Sequence, residues 1–179
     1  DKAAGMLGKS DTNKWDTQLA YTTDRWHISG TLSNQQNWTS HSYNATKQAA
    51  AMKSGDFTGY AFRGYWRPED SGTATPEISA GYDIRNADDT VTSGTGKNSD
   101  SYFVGLTWKD IFQADDRIGF AFTQPLVATE VLGGGDPGEV DPQIYEVYYS
   151  FRPNDSMEIT PALFVGNDVY SDDDDDILG

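Results

Sequence analysis

Residues 101–108 of the chain read SYFVGLTW, and residues 118–122 read IGFAF after a short turn. Large apolar side chains recur at every second position in both stretches. Because successive side chains of a strand point to opposite faces of a sheet, this period predicts two neighbouring β-strands. The pair therefore favours an antiparallel hairpin with one apolar face.

The same period recurs along the chain and predicts about eight strands in hairpin order. Their expected positions are 15–23, 25–34, 57–67, 76–86, 100–109, 116–124, 143–152 and 157–166. A two-residue turn at Thr23-Asp24 would put Tyr21 opposite Trp26 in the first hairpin. Pro161 has no N–H to donate to a ladder, so it predicts a bulge or a break in the last strand.

The opposite face of the predicted strands carries charged side chains. If Trp66 pairs with Ile78, Arg67 lies across from Glu77. Strands of about ten residues, apolar on one face and charged on the other, are typical of a transmembrane β-barrel with a wet interior. The alternative for any single pair of charges is a solvated salt bridge worth ~0 to 1 kcal/mol. The residues predicted to line the interior are Arg63, Arg67, Glu77, Asp83, Arg85, Arg117, Glu146 and Glu158, with Arg63 diagonal to Asp83.

Connection lengths alternate, which is a second indication of a barrel. Short turns are expected near 23–24, 68–75, 109–115 and 152–156, and longer loops near 35–56, 86–99, 125–142 and 167–179. Outer-membrane barrels place short turns on the periplasmic side and longer loops outside the cell. Aromatic residues beside the short turns fit a girdle at the membrane interface; they are Tyr21, Trp26, Trp66, Trp108 and Phe151. Both ends of this topology fall on the loop side, so we expect further strands before and after the chain.

Composition excludes several classes of protein. The chain of 179 residues has no Cys, 28 acidic against 13 basic residues and a formal charge of −15. That charge disfavours nucleic acid as a partner, and the absence of Cys removes disulfides and thiolate metal sites. No run approaches the roughly 20 apolar residues of a membrane helix.

Candidates for catalysis or metal binding are weak. The histidines, His27 and His41, fall on different predicted elements, which argues against a His-based metal site or a catalytic triad. The acidic run Asp172 to Asp176 suits Ca²⁺ or Mg²⁺, but a solvated acidic loop is the favoured interpretation. Residues 133–138 read GGGDPG and lack the Lys-Ser/Thr of a phosphate loop. We therefore expect no enzyme, no cofactor and no metal site.

Several segments together resemble a known family. They are RGYWRP at 63–68, ISAGY at 78–82, YFVGLTW at 102–108, IGFAFTQP at 118–125 and ITPALF at 159–164. In order and spacing they resemble the C-terminal half of cyanobacterial outer-membrane porins of the iron-uptake or Som type, which are similar to the OprB-like carbohydrate-selective porin family. The resemblance implies a single barrel domain over 1–179, forming part of a barrel of about sixteen strands. It also implies a homotrimer in the outer-membrane lipid that passes inorganic ions and small hydrophilic solutes; the family's N-terminal surface-layer-homology region is not visible here.

Two other functions fit parts of the pattern. A structural outer-membrane barrel with a plugged lumen would keep the fold and lose the transport. A soluble, secreted carbohydrate-binding β-sandwich would use Trp38, Tyr43 and Trp66 as platforms on which sugars stack. The sandwich does not explain charged residues on the face that would form its core.

Overall fold

The computed structural model describes residues 12–38, 55–69, 75–88, 96–131, 142–168 and 177–179. All regular structure in these ranges is β-strand. The described residues contain no helix that is long and apolar enough to cross a membrane. The strands are β1 Asn13–Thr22, β2 Trp26–Trp38, β3 Gly55–Trp66, β4 Glu77–Ala87, β5 Gly96–Lys109, β6 Arg117–Val131, β7 Gln143–Asn154, β8 Met157–Ile159, β9 Ala162–Asn167 and β10 Ile177–Leu178.

The strands form one antiparallel sheet in which neighbours in sequence are neighbours in space. Its order is β1-β2-β3-β4-β5-β6-β7-β9-β10, and the short β8 pairs with β7. The predicted all-β antiparallel fold is therefore confirmed.

The sheet is open, so the described strands do not close into a barrel. At one end β1 pairs only with β2, and at the other β10 pairs with β9. The interior of a closed eight-stranded barrel is just wide enough for its side chains. One face of this open sheet carries long arginine and aromatic side chains. A larger barrel, completed by other strands, stays a prediction.

The first hairpin departs from the predicted register. Tyr21 pairs with Ile28 rather than Trp26, which moves the pairing by two residues and leaves both faces unchanged. The cause is the turn, where the amide of Thr23 donates to the carbonyl oxygen of Trp26 at 2.7 Å. The Thr23 hydroxyl also accepts from the amides of Arg25 and Trp26. These bonds make a wider connection than the two-residue turn that the sequence predicted.

Strand β6 extends into the segment that was expected to be a loop. It runs to Val131 and contains Pro125, whose missing N–H is accommodated by a bulge: Gln124 pairs with Tyr102, and the next paired residue, Val127, pairs with Asp100. The ladder between β6 and β7 ends at Thr123, so Pro125 lies beyond the part of β6 that pairs with β7. The loop-like composition of this segment therefore led to a wrong prediction. The end of β6 is a strand that pairs with β5 on one side.

The break predicted at Pro161 is confirmed. Strand β8 ends at Ile159 and β9 begins at Ala162, so the last predicted strand is divided in two. The carbonyl oxygen of Pro161 accepts a hydrogen bond from the amide of Tyr149 at 3.1 Å, and this bond keeps the segment beside β7.

One face of the sheet, called the apolar face below, carries a continuous band of hydrophobic side chains. A row across the strands links Trp26, Trp66, Ile78, Leu106, Phe120, Val147 and Leu163 through successive register pairs. Many of these side chains are exposed; Leu19 is 83% exposed and Ile28 60%. Among the described residues the buried apolar side chains are few, and include Phe57, Val127, Ala128 and Pro142. The sheet thus turns most of its apolar side chains outward, and none of the described residues forms a second layer over them.

The aromatic residues predicted to lie beside the short turns do so on the apolar face. The rings of Trp26 and Trp66 are 6.2 Å apart on neighbouring strands. Trp108 pairs with Ile118 at the start of β6, and Phe151 stacks on Tyr149 near the end of β7. Aromatic rings therefore gather on the part of the apolar face that lies next to the short turns.

Candidate functional site

The opposite face, called the polar face, brings together the charged residues that the sequence singled out. Strand alternation and register place on this one face Arg63, Arg67, Glu77, Asp83, Arg85, Arg117, Glu146 and Glu158. The strand register alone is enough to put these residues on one face. That this face lines a pore stays a prediction.

Arg63 and Asp83 form an ion pair at mid-height of the sheet. The Nη2 atom of Arg63 donates to both carboxylate oxygens of Asp83, at 2.8 and 2.7 Å. Ser101 on β5 donates to Asp83 Oδ2 at 3.1 Å, so three strands are tied together. Arg63 Nη1 also donates to the carbonyl oxygen of Phe62 at 2.9 Å. The pair is diagonal, because Arg63 is opposite Gly81, and this predicted geometry is confirmed.

A second charge cluster lies near the short turns. Arg67 Nε donates to Glu77 Oε2 at 2.7 Å, and Lys109 Nζ contacts the same oxygen at 3.4 Å. The guanidinium of Arg67 also lies over the ring of Tyr65, 4.5 Å from its centroid. Trp66 pairs with Ile78 as predicted, and Arg67 meets Glu77 beyond that pair.

Arg85 lies closer to an aromatic ring than the other two arginines do. Its guanidinium lies 3.4 Å from the centroid of the Phe57 ring. Both side chains are buried, Phe57 at 2% exposure and Arg85 at 9%. A guanidinium over an aromatic face is favourable because the ring presents its negative quadrupole to the cation. Three polar-face arginines therefore each lie against a ring, since Arg63 is 5.5 Å from the centroid of Phe103.

The remaining predicted residues are Arg117, Glu146 and Glu158. Arg117 is opposite Lys109 on one side and Ser150 on the other, whereas Glu146 is opposite Ala121. Glu158 accepts from Arg152 Nε at 3.1 Å. The register thus keeps Arg117 and Glu146 on one face without pairing them directly.

A groove of about 640 Å³ lies over the polar face of strands β1 to β6. The ion pair Arg63–Asp83 borders it on one side, and Lys14 and Asp16, which are 3.4 Å apart, border it on the other. Between them the lining includes amides and hydroxyls that donate and accept hydrogen bonds, from Gln18, Thr31, Ser33 and Gln35, beside the apolar groups of Ala61, Ile84 and Leu126. Such a surface can replace the hydration of ions and small polar solutes.

Sequence reasoning missed several members of this surface. Lys109 and Ser101 follow the strand period, so alternation alone could have found them. Leu126 breaks the period, because the bulge at Pro125 changes the phase of β6. Alternation along β6 assigns Leu126 to the apolar face, yet Leu126 lines the groove.

The turn between β5 and β6 is held by a buried carboxylate, that of Asp116. It accepts hydrogen bonds from the amides of Ile111, Phe112 and Gln113 at 2.7 to 3.0 Å, and from the hydroxyl of Tyr149 on β7 at 3.0 Å. Burial alone would raise the pKa of this carboxyl, but the donated hydrogen bonds outweigh it and hold the pKa below its usual value. Asp116 is therefore a structural charge of the turn.

The other candidates from the sequence do not add a site. His27 is held by Thr22 on Nδ1 at 2.8 Å and by Ser29 on Nε2 at 3.2 Å. Trp66 lies on the apolar face, away from the polar groove. Within the part of the chain that the structure describes, no group of three His, Cys, Asp or Glu could hold a metal ion. His41, Tyr43, the 133–138 segment and the acidic run at 172–176 lie outside the described residues, as does the side chain of Trp38.

Comparison with known proteins assigns no family. No protein-family model, curated protein or solved structure matches the chain.

Proposed function

We propose that this chain forms part of the wall of an outer-membrane porin, which passes inorganic ions and small hydrophilic solutes by passive diffusion. The observation that carries the proposal is the division of the sheet into two faces. Hydrophobic side chains lie exposed on one face, and the strand arginines with their carboxylate partners lie on the other. Exposed apolar surface on this scale marks contact with lipid or with another protein.

Lipid explains the apolar face best. Its aromatic residues gather near the short turns, with Trp26, Trp66 and Trp108 in successive hairpins, as in the interfacial girdles of outer-membrane barrels. The resemblance of the segments at 63–68, 78–82 and 102–108 to cyanobacterial Som-type porins predicts the same localisation. In that setting the polar face is turned toward water, where ion pairs and amides line the path of solutes.

A carbohydrate-binding sandwich fits these observations less well. A sandwich buries one face of each sheet against a second sheet. Within the described residues all strands belong to one sheet. The platform residue Trp66 contacts Trp26 on the apolar face. A barrel with a plugged lumen keeps every feature of the wall and differs only in conductance.

Cysteine labelling of the full-length protein in native outer membranes tests the two-face assignment. Val147→Cys and Tyr82→Cys on the apolar face should react slowly with a membrane-impermeant maleimide, because lipid covers them. Glu146→Cys and Asp83→Cys, each next to an apolar-face position, serve as matched controls and should react fast. Equal rates within each pair would contradict the membrane wall.

Conductance then separates a porin from a plugged barrel. The purified full-length protein, reconstituted in planar lipid bilayers, should give stable conductance steps that grow with salt concentration. Correct labelling with no conductance would leave the structural barrel as the function.

A further inference from the structure

We propose that Leu126 forms a steric ridge at mid-height of the polar face and sets the upper size of the solutes that pass. The inference rests on the proposed porin function and adds a specificity-determining residue to it. It starts from the register shift at Pro125, where β6 bulges against β5.

Leu126 owes its position to the bulge. Pro125 and Leu126 lie between the paired residues Gln124 and Val127, where the partner strand offers only Ser101. A bulge of this kind re-aims the side chain that follows it. Leu126 consequently borders two spaces on the polar face, the groove of about 640 Å³ and a smaller one of about 250 Å³.

The ridge is the boundary between these two spaces. Three residues line both of them: Asp83, Ser101 and Leu126. The carboxylate of Asp83 is held by Arg63 and by the Ser101 hydroxyl, so these polar groups are occupied with one another. Leu126 adds aliphatic volume without any group that could hydrogen-bond a passing solute.

The position of the ridge suits a constriction. Asp83 lies in the middle of β4 and Ser101 in the middle of β5, well away from both sets of connections. On the far side of the ridge the smaller space is lined by Ile144 of β7 and Phe103 of β5. An aliphatic side chain beside a fixed ion pair narrows the path by its volume, and that volume sets the largest solute that passes.

Polymer exclusion in planar bilayers tests the ridge on the full-length protein. For each variant, single-channel conductance is measured with polyethylene glycols of increasing size, which gives the largest polymer that enters the pore. Leu126→Ala should raise both the conductance and the cutoff size, and Leu126→Trp should lower both. Leu126→Ser should match Leu126→Ala, since the effect depends on volume rather than on polarity.

Val104→Ala is the control, because Val104 lies at a similar height on the apolar face, paired with Ala80 and Phe122. It should leave the cutoff unchanged. Variants are compared only when they show the heat-dependent gel shift of the folded wild type. If wild type conducts and the alanine and tryptophan variants share its cutoff, the ridge is wrong while the porin stands. If folded wild type does not conduct, the porin proposal fails, and the ridge fails with it.

Discussion

At the scale of single residues, the ion pair of Arg63 and Asp83 is the contact that alternation predicted best. Pairing Trp66 with Ile78 fixed the relative position of the two strands, and the diagonal contact followed from it. The side chains are 36% and 32% exposed, so solvent screens the attraction and its contribution to stability is small.

A double-mutant cycle measures that contribution. Arg63→Gln, Asp83→Asn and the double variant should give a coupling free energy of about 1 kcal/mol, the upper end for exposed pairs. The measurement is urea unfolding of the full-length protein in detergent micelles, followed by tryptophan fluorescence. Arg152 with Glu158, which is more exposed and joined by one bond, should show a smaller coupling. Equal coupling for both pairs would contradict a special role for the contact of Arg63 with both carboxylate oxygens.

Asp116 gives a prediction about pH. Its pKa is lowered in the folded state, so its stabilising bonds are fully present above the unfolded-state pKa of about 3.9 and are lost as pH falls through the folded value. Asp116→Asn should therefore unfold at lower urea than wild type at pH 7, and the difference should shrink as the pH falls below about 4. A constant difference across that range would show that the carboxylate charge is not what holds the turn.

Asp115→Asn is the matched control for this experiment. Asp115 lies in the same turn with a positive φ of 64°, which Asn tolerates. Its backbone amide donates to Asp110 Oδ1 at 2.7 Å, and that bond survives the substitution. The control should unfold close to wild type at both pH values.

At the scale of strands, glycines on the polar face make room for large side chains of the neighbouring strand. The ring of Tyr148 on β7 covers Gly119 of β6, and the ring of Phe103 on β5 covers Gly81 of β4. A ring laid over a glycine shields the backbone and pins the register of the two strands. The sequence showed glycines at these positions but not which side chain would cover them.

Replacing Gly119 by Ala should destabilise the β6–β7 pairing by about 1 to 3 kcal/mol, because its Cβ would collide with the Tyr148 ring. Gly30→Ala is the matched control. The nearest atom to its added Cβ, in the ring of Phe62, is 3.8 Å away, so it should be neutral or slightly stabilising. Urea unfolding in micelles checks both, and a Gly119 variant as stable as wild type would show that Tyr148 moves aside freely.

At the scale of the whole molecule, the topology predicts two sides. The long connections lie at one end of the strands. The turns at Thr23–Arg25, Asp110–Asp116 and Asp155–Ser156 lie at the other end. An epitope tag inserted after Gly94, in the connection between β4 and β5, should be reached by antibody on intact cells. A tag after Asp155 should be reached only after permeabilisation. The reverse pattern would invert the orientation of the wall.

The net charge of the chain gives a second prediction at this scale. The chain carries −15 overall, and many of its acids fall in the long connections, among them Asp136, Glu139, Asp141 and the run 172–176. A negative mouth concentrates cations by an amount that salt screens, since the Debye length is ~10 Å at 0.1 M. Reversal potentials should therefore show a cation preference that is larger at low salt, although the polar-face arginines oppose it.

Changing Asp172 to Asp176 to Asn should reduce this preference. Changing Asp155 to Asn, on the short-turn side, should leave it nearly the same. A preference for anions in the wild type at low salt would show that the arginines outweigh the loop acids.

The sequence by itself determined most of the strands, the two faces and the diagonal ion pair at Arg63, because alternation and turn residues act locally and the side-chain period of a strand is two. It did not show β10, which lies in the segment expected to be a loop. Tertiary structure alone decided the rest. The register of the first hairpin depended on hydrogen bonds around Thr23, the reach of β6 on pairing along one edge, and the place of Leu126 on a bulge that changed the strand's phase. Whether the ends of the sheet meet depends on the number, tilt and stagger of strands around a closed ring, which no local pattern encodes.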